Sequence, residues 1–407
     1  MRNSNKRIGA FQRARELPDY SRRILVVAPE PFYEDRGTPI ALKYVLEAGS
    51  ERGYEVDLLT FPVGDPVTLP GLRIFRVGTW LPIRAVPIGF SFRKVLLDAF
   101  LFPAVLWRTS RMRYACVYAL EESAFLVLLL RFWHKLFVIY DMQSSLPEQL
   151  KSHPVLGGAV FQKLLRWSER WMIRRANSIV CSAGLRKYIR SIVPDAKVQE
   201  WYFPGEPDAL PANDPERLRE QLGIGPGSRI VLYSGNFEPY QGITRLLDAI
   251  PHVLSEVPGA VFLFVGINGT SEIRLPEPAK RLREQGVVKM IPRRSREEIQ
   301  RFLALADVAV SPRDNTSNVG IKIFEYMAAA KPIVATDTPA HRELLDEDRA
   351  VLVNLLPEEM AKAIILLLQD REAANRLGQA ARAYAEEHMS RKRFVDQVDG
   401  LYREASA

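Results

Sequence analysis

Short unbroken apolar runs alternate along this chain with longer stretches in which apolar residues return every three or four positions. The runs at residues 23–28, 114–120, 136–140, 178–181, 229–234, 261–265, 287–291, 307–311 and 333–336 have the length and branched or aromatic composition of strands buried on both faces. Residues 55–61, 72–77 and 197–202 add three more. Helical periodicity fills residues 124–131, 160–175, 185–192, 319–329, 357–369 and 371–387, and the helix after the first strand ends near Glu51-Arg52-Gly53. Strand, helix, strand in repetition is the pattern of a parallel sheet covered by helices. The series is interrupted by the Pro-, Gly- and Asp-rich run FPGEPDALPANDPE at 203–216 and then restarts. The expected architecture is α/β: two Rossmann-like doubly wound domains facing a central cleft, residues 23–205 and 206–390. A basic arm at 1–22 precedes them and a helix at 391–407 follows.

Residues 305–337, LADVAVSPRDNTSNVGIKIFEYMAAAKPIVATD, concentrate the candidate chemistry. A buried strand leads through a polar turn at 315–318 into a helix, and a second strand follows. On the helical wheel Ile323, Phe324 and Met327 share one face, while Lys322 and Glu325 lie opposite them. That pair faces either solvent, as an ordinary ion pair three residues apart, or a cleft. The helix begins where the sheet's carboxyl edge exposes free backbone N–H groups, a natural seat for an anion.

The run NVGIKIFEYMAAAKPIVATD at 318–337 resembles the donor-binding segment of retaining glycosyltransferases of family four, of the glycosyl transferases group 1 type. The resemblance implies the GT-B fold, a nucleotide-sugar donor and a last helix that crosses back to the first domain. It also implies that Glu325 binds the ribose and that the turn of Ser317, Asn318, Val319, Gly320 and Ile321 touches sugar and diphosphate. The family's usual Glu, seven residues, Glu pattern has its second member at Glu325 and Ser317 in place of the first. Its usual phosphate-gripping Arg and Lys, in the loop after the first strand of the second domain, are here Asn236 and Gln241. The cations must then come from elsewhere on the carboxyl edge, from Lys322 and Arg313, with Arg294 as a further candidate. Gly266, which with Gly269 is similar to the family's Val-Gly-x-Gly, does not make a dinucleotide fingerprint, so a nicotinamide dehydrogenase is disfavoured.

In the first domain, Gly37 is either a plain turn or a point of close backbone approach to the donor; the family's usual glycine pair is here Arg36-Gly37. Where the family often has a His, this chain has Asp141 with Gln143. Asp141 is either a turn cap or a group that orients a sugar hydroxyl or accepts the acceptor's proton. The expected catalytic set is therefore Asp141, Lys322 and Glu325. No nucleophile constellation is visible, which agrees with the front-face mechanism proposed for such families. The resemblance thus points to sugar transfer onto a lipid-linked or cell-envelope glycan. A nucleotide-sugar epimerase of the same fold and a catalytically degenerate sugar-nucleotide-binding subunit are the alternatives.

Charge adds a location. The chain of 407 residues carries a net charge of +8; residues 1–205 hold 30 Lys and Arg against 18 Asp and Glu, which is +12, and the remainder is −4. Between residues 80 and 113 large apolar side chains alternate with arginines, which fits either core helices or a surface lying on an anionic membrane. No segment is long enough to span a bilayer, and no compact basic motif suggests nucleic acid. Two cysteines favour a reducing compartment and, with the histidines, form no recognisable metal site. The expected protein is cytoplasmic, peripheral on the inner face of the membrane, with no cofactor beyond its nucleotide-sugar substrate.

Overall fold

The computed structural model describes residues 19–34, 37–87, 91–151, 156–182, 184–205, 214–267, 277–314 and 319–406. Most of the basic arm therefore lies outside the described residues, and Asp19–Arg22 form one 3-10 turn before the first strand. The first domain runs β1 (Arg23–Ala28), α1 (Gly37–Glu51), β2 (Glu55–Thr60), β3 (Leu72–Arg76), α2 (Phe92–Arg111), β4 (Cys116–Leu120), α3 (Ser123–Leu130), β5 (Val138–Met142), α4 (Leu146–Gln149), α5 (Ala159–Arg175), β6 (Ser178–Ser182), α6 (Leu185–Ile192) and β7 (Val198–Trp201). The second runs α7 (Asp214–Gln221), β8 (Arg229–Ser234), α8 (Ile243–Glu256), β9 (Ala260–Ile267), α9 (Glu277–Glu284), β10 (Val288–Pro292), α10 (Arg296–Leu305), β11 (Val308–Ser311), α11 (Ile321–Ala328), β12 (Ile333–Thr336), β13 (Val351–Val353), α12 (Pro357–Gln369), α13 (Arg371–His388) and α14 (Arg391–Ser406).

All pairings are parallel, in the orders β3-β2-β1-β4-β5-β6-β7 and β10-β9-β8-β11-β12-β13. The order reverses at β1/β4 in one sheet and at β8/β11 in the other, and crevices open at such points beyond the carboxyl ends of the strands. The unbroken apolar runs follow from this arrangement, since helices cover both faces: Ile24 to Ala28 and Ile230 to Leu232 are almost wholly enclosed. Each fully buried Leu, Ile or Val side chain contributes about 1.5–3 kcal/mol. In the first domain α1 lies on one face of the sheet, while α2, α3 and α5 pack with the other.

The last helix crosses back. On α14, Arg391 pairs with Glu51 of α1, Tyr402 meets Tyr54 edge to face at 5.0 Å, and Asp399 accepts from the Tyr54 hydroxyl at 2.9 Å. Across the cleft Lys187, beyond β6, reaches Glu343, beyond β12, at 2.8 Å, so the two carboxyl edges face each other.

One buried acid ties α2 to its sheet. Asp57 of β2 accepts from Arg73 Nε at 2.7 Å, from Arg108 Nη1 at 2.7 Å and from the Tyr114 hydroxyl at 2.6 Å. The Arg108 guanidinium also stacks over Phe75, 3.3 Å from the ring centre. Removing one member of a buried pair leaves an uncompensated charge. Asp57→Ala is therefore expected to cost about 3–5 kcal/mol in urea unfolding of the first domain, and an unchanged midpoint would contradict this anchoring role.

Candidate functional site

Two loops meet at the reversal point of the second sheet, one after β8 and one after β11. Gly242 has φ +68°, and a Cβ there would lie 1.8 Å from the Pro312 carbonyl oxygen, so only glycine lets the loops approach so closely. Gly235, at φ +134°, leaves the space that the Lys322 ammonium enters; a Cβ would come within 2.8 Å of Nζ. Gly266 supports this from beneath, with its Cα against the Gly235 backbone.

Lys322 is the second residue of α11, and its side chain leans back over the helix start, as helical side chains do. It is 8% exposed. Its ammonium donates to Gln241 Oε1 at 3.0 Å and sits 4.0 Å from the centre of the Tyr233 ring. Arg313, also buried, stacks on Tyr240 at 5.3 Å. Burial holds the Lys322 ammonium well below its usual range, Arg313 pushes the same way, and Glu325 opposes both. Burial likewise lowers Arg313. Of the two readings of the Lys322 and Glu325 face, the solvated ion pair is not the one that forms. Lys322 turns to Gln241, whereas Glu325 lies 3.8 Å from Arg296 Nε.

Arg296 escaped the sequence reading. It opens α10, stacks on Tyr44 of α1 at 4.6 Å, donates to the Pro204 carbonyl at 3.1 Å and so joins Glu325 to both the first domain and the interdomain linker. The Ser295-Glu298 capping box was the available signal that a helix starts there. Arg294, half-exposed, pairs with Glu298 at 3.4 Å and is not joined to the Lys322 cluster among the described residues. Asn236 shapes its loop: its carbonyl accepts from the Tyr233 hydroxyl at 2.6 Å and its amide reaches the Tyr240 hydroxyl at 3.4 Å. Val319 is buried, Gly320 caps α11 against Arg313, and Ile321 is half-buried. Ser317 and Asn318 lie outside the described residues. At Gly37, the first residue of α1, a Cβ would meet nothing within 4 Å, so packing does not demand glycine and the approach is open.

Asp141 is not brought to the cleft. It is 1% exposed, and its two oxygens accept from the Tyr118 hydroxyl at 2.6 Å and from Gln143 Nε2 at 2.5 Å. Tyr118 in turn accepts from Trp201 Nε1 at 3.2 Å. Burial pushes the Asp141 carboxyl up to about 7 against those two donors. These hydrogen bonds order the carboxyl end of β5. No trio of His, Cys, Asp or Glu is arranged to hold a metal among the described residues.

A second missed residue is His341. Its Nδ1 lies 2.7 Å from the Thr336 carbonyl, so that nitrogen donates and Nε2, 3.2 Å from Ser311 Oγ, accepts. Thr336 Oγ1 also donates to the Arg313 carbonyl. The ring therefore fixes the ends of β11 and β12 beneath the two cations. Single residues such as this give no periodic signal.

Residues 214–384 match the family model "Glycosyl transferases group 1". Alpha-D-kanosaminyltransferase of Streptomyces kanamyceticus is 26% identical over 266 residues, 63% of this chain and 68% of that protein. Phosphatidyl-myo-inositol mannosyltransferase of Mycolicibacterium smegmatis is 33% identical over 165 residues, 39% of this chain and 41% of that protein. The matched stretches span 41 to 68% of the first three curated relatives. The Anabaena protein Alr3699/HepE, solved in complex with UDP, superposes with a TM-score of 0.73 at 17% identity over 94% of this chain and all of that one. The second domain is thus a glycosyl transferases group 1 domain, in a chain with the GT-B fold.

The buried imidazole makes stability depend on pH. Burial holds His341 near 4, below its ordinary 6.5, so the folded state resists protonation there. Stability is fully present above about 6.5 and is lost as pH falls toward 4, by roughly 3 kcal/mol. His341→Gln is expected to flatten this part of the stability profile in chemical denaturation from pH 7 to 4. Equal slopes for the two proteins would refute the assignment.

Proposed function

We propose that this chain is a retaining glycosyltransferase that moves a sugar from a nucleotide-diphosphate sugar to a lipid-linked or cell-envelope glycan acceptor. It works in the cytoplasm, at the inner face of an anionic membrane. The observation that carries the reading is the Lys322-Arg313 pair at the reversal point of the second sheet, with Lys322 Nζ 3.0 Å from Gln241. In the resembling family a cation stands where this chain has Gln241. Here the positive charge reaches the same place from α11, so the charge has moved from one loop to the neighbouring helix. The UDP named for the Anabaena neighbour supports a nucleoside diphosphate as the ligand.

The chemistry follows from charge. When the bond from sugar to diphosphate breaks, negative charge grows on the leaving phosphate. Lys322, Arg313 and the free N–H groups at the start of α11 stabilise that charge without reorganising, in a site poor in water. The arriving phosphates also favour the charged form of Lys322, opposing the effect of burial and of Arg313. Glu325 accepts from the ribose hydroxyls, held in place by Arg296. Asp141, enclosed as it is, has no part in the proton transfer; the leaving phosphate takes the acceptor's proton.

A thermal-shift panel tests the donor site: a nucleoside diphosphate at 100 times its dissociation constant should add about 2.7 kcal/mol, and indifference to every nucleotide would remove the assignment. Lys322→Ala should weaken both donor binding and turnover by ~1.5–3 kcal/mol, about ten- to a hundredfold, while the ligand-free protein melts no lower. Adding Gln241→Lys to that variant should recover part of the loss. Unchanged affinity and rate in Lys322→Ala would leave Lys322 a buried structural lysine.

A further inference from the structure

Helix α2 is apolar on two opposite faces. Leu97, Leu101 and Val105 are wholly buried against the sheet, with Arg108 held by Asp57. On the far side Val95, Leu96, Leu106 and Trp107 are 36 to 53% exposed, with Ala99 and Pro103 between them in the same stripe. Successive members are adjacent or lie three or four residues apart, one face of a helix. A surface helix needs only one apolar stripe, so the outer one is unexplained by folding.

The stripe ends at a basic corner on the amino edge of the sheet, where α2, α3 and α5 all finish. A shallow concavity of about 310 Å³ is lined there by Arg131, His134, Lys135 and Asn177, with Leu136 and Phe137 at its floor. Between Arg131 and His134, the adjacent Phe132 and Trp133 are 68% and 71% exposed. Residues 99–120 and 123–140 contain no Asp or Glu, and no carboxylate pairs with Arg111, Arg131, Lys135 or Arg174 among the described residues. Cations in the last turns of α2 and α5 complement the helix dipoles. That does not account for two aromatic rings held out in water beside them. Acid-free cations around a concavity with flanking aromatic rings match one chemistry, the phosphate of a lipid headgroup with acyl chains behind it.

We infer that the concavity of Arg131, His134 and Lys135 seats the phosphate of an anionic membrane lipid, with Phe132 and Trp133 entering the bilayer and the outer stripe of α2 lying along the headgroups. This rests on the membrane contact proposed above and names where it is made. The seat is at the sheet edge opposite the cleft, so the lipid it holds is an anchor and not the acceptor.

Sedimentation of the full chain with vesicles tests it, using phosphatidylcholine alone and phosphatidylcholine carrying phosphatidylglycerol. The wild type is expected to bind only the second kind, less at high salt. Arg131→Gln/Lys135→Gln, and Lys135→Glu as a variant that breaks no hydrogen bond among the described residues, should weaken binding at least about tenfold at unchanged melting temperature. Lys362→Gln/Lys392→Gln, an equal loss of charge on the second domain and last helix, should not. Equal effects of the corner and control variants would overturn the seat while leaving membrane contact standing; no binding by the wild type would overturn both. Brominated lipid should quench Trp fluorescence in the wild type and much less in Trp133→Phe. Quenching unchanged by that substitution would overturn the insertion.

Discussion

Lys322 and Arg313 bring two positive charges into one poorly hydrated corner, and the surrounding loops exist to hold them there. The ammonium's acceptor is an amide oxygen, Gln241 Oε1, and the ring faces of Tyr233 and Tyr240 supply diffuse negative charge. Glu325 acts on Lys322 without outweighing burial and Arg313, so the desolvation of Lys322 is only partly offset. Such a corner is costly, since it buries an ammonium. It persists because its frame is overdetermined: glycines at 235 and 242 fix how closely the loops approach, and His341 with Thr336 ties the end of β12 to the Arg313 backbone. On the function proposed above, the positive charge held in this corner is what would attract a diphosphate.

The same geometry links Glu325, the residue proposed to bind the nucleoside, to the junction between the domains. Glu325 shares Arg296 with Tyr44 of the first domain and with the Pro204 carbonyl of the linker. Next to this polar junction Phe203, Phe324 and Phe394 meet within 6 Å of one another through Phe203, and Tyr44 lies 5.7 Å from it. These rings come from the linker, α11, α14 and α1. Helix α11 is therefore joined to α1 and α14 by contiguous packed aromatic contacts.

The sheets and their order of elements were legible because both sheets are parallel and buried, which leaves unbroken apolar runs and wide helix spacing in the sequence. The position of Lys322 was legible as well, but not its direction: a helical wheel assigns a face, whereas a long side chain at a helix start leans backward into the space that Gly235 leaves. Asp141 was legible as an acid at the carboxyl end of a strand, but its enclosure was not, because Tyr118 and Trp201, far away in sequence, close over it. Arg296 and His341 were invisible for the same reason, since each acquires its partners only through tertiary contacts.

The two-faced α2 raises the question of how a bilayer and an interdomain cleft are served at once. Its first turns lie near Glu122, at the carboxyl edge of the first sheet, since that acid acts on the Asp98 carboxyl. Twenty residues later it ends at the amino edge. At about 1.5 Å per residue the helix spans roughly 30 Å. A membrane plane lying along its outer stripe touches the basic corner at one end and passes the first domain's side of the cleft mouth at the other. On the proposed reading, lipid phosphates held at that corner would lie far from Lys322 and Arg313 and would not compete with the donor's phosphates for them. An acceptor carried in that plane would reach the cleft by lateral diffusion, without leaving the bilayer and without the first domain letting go of it.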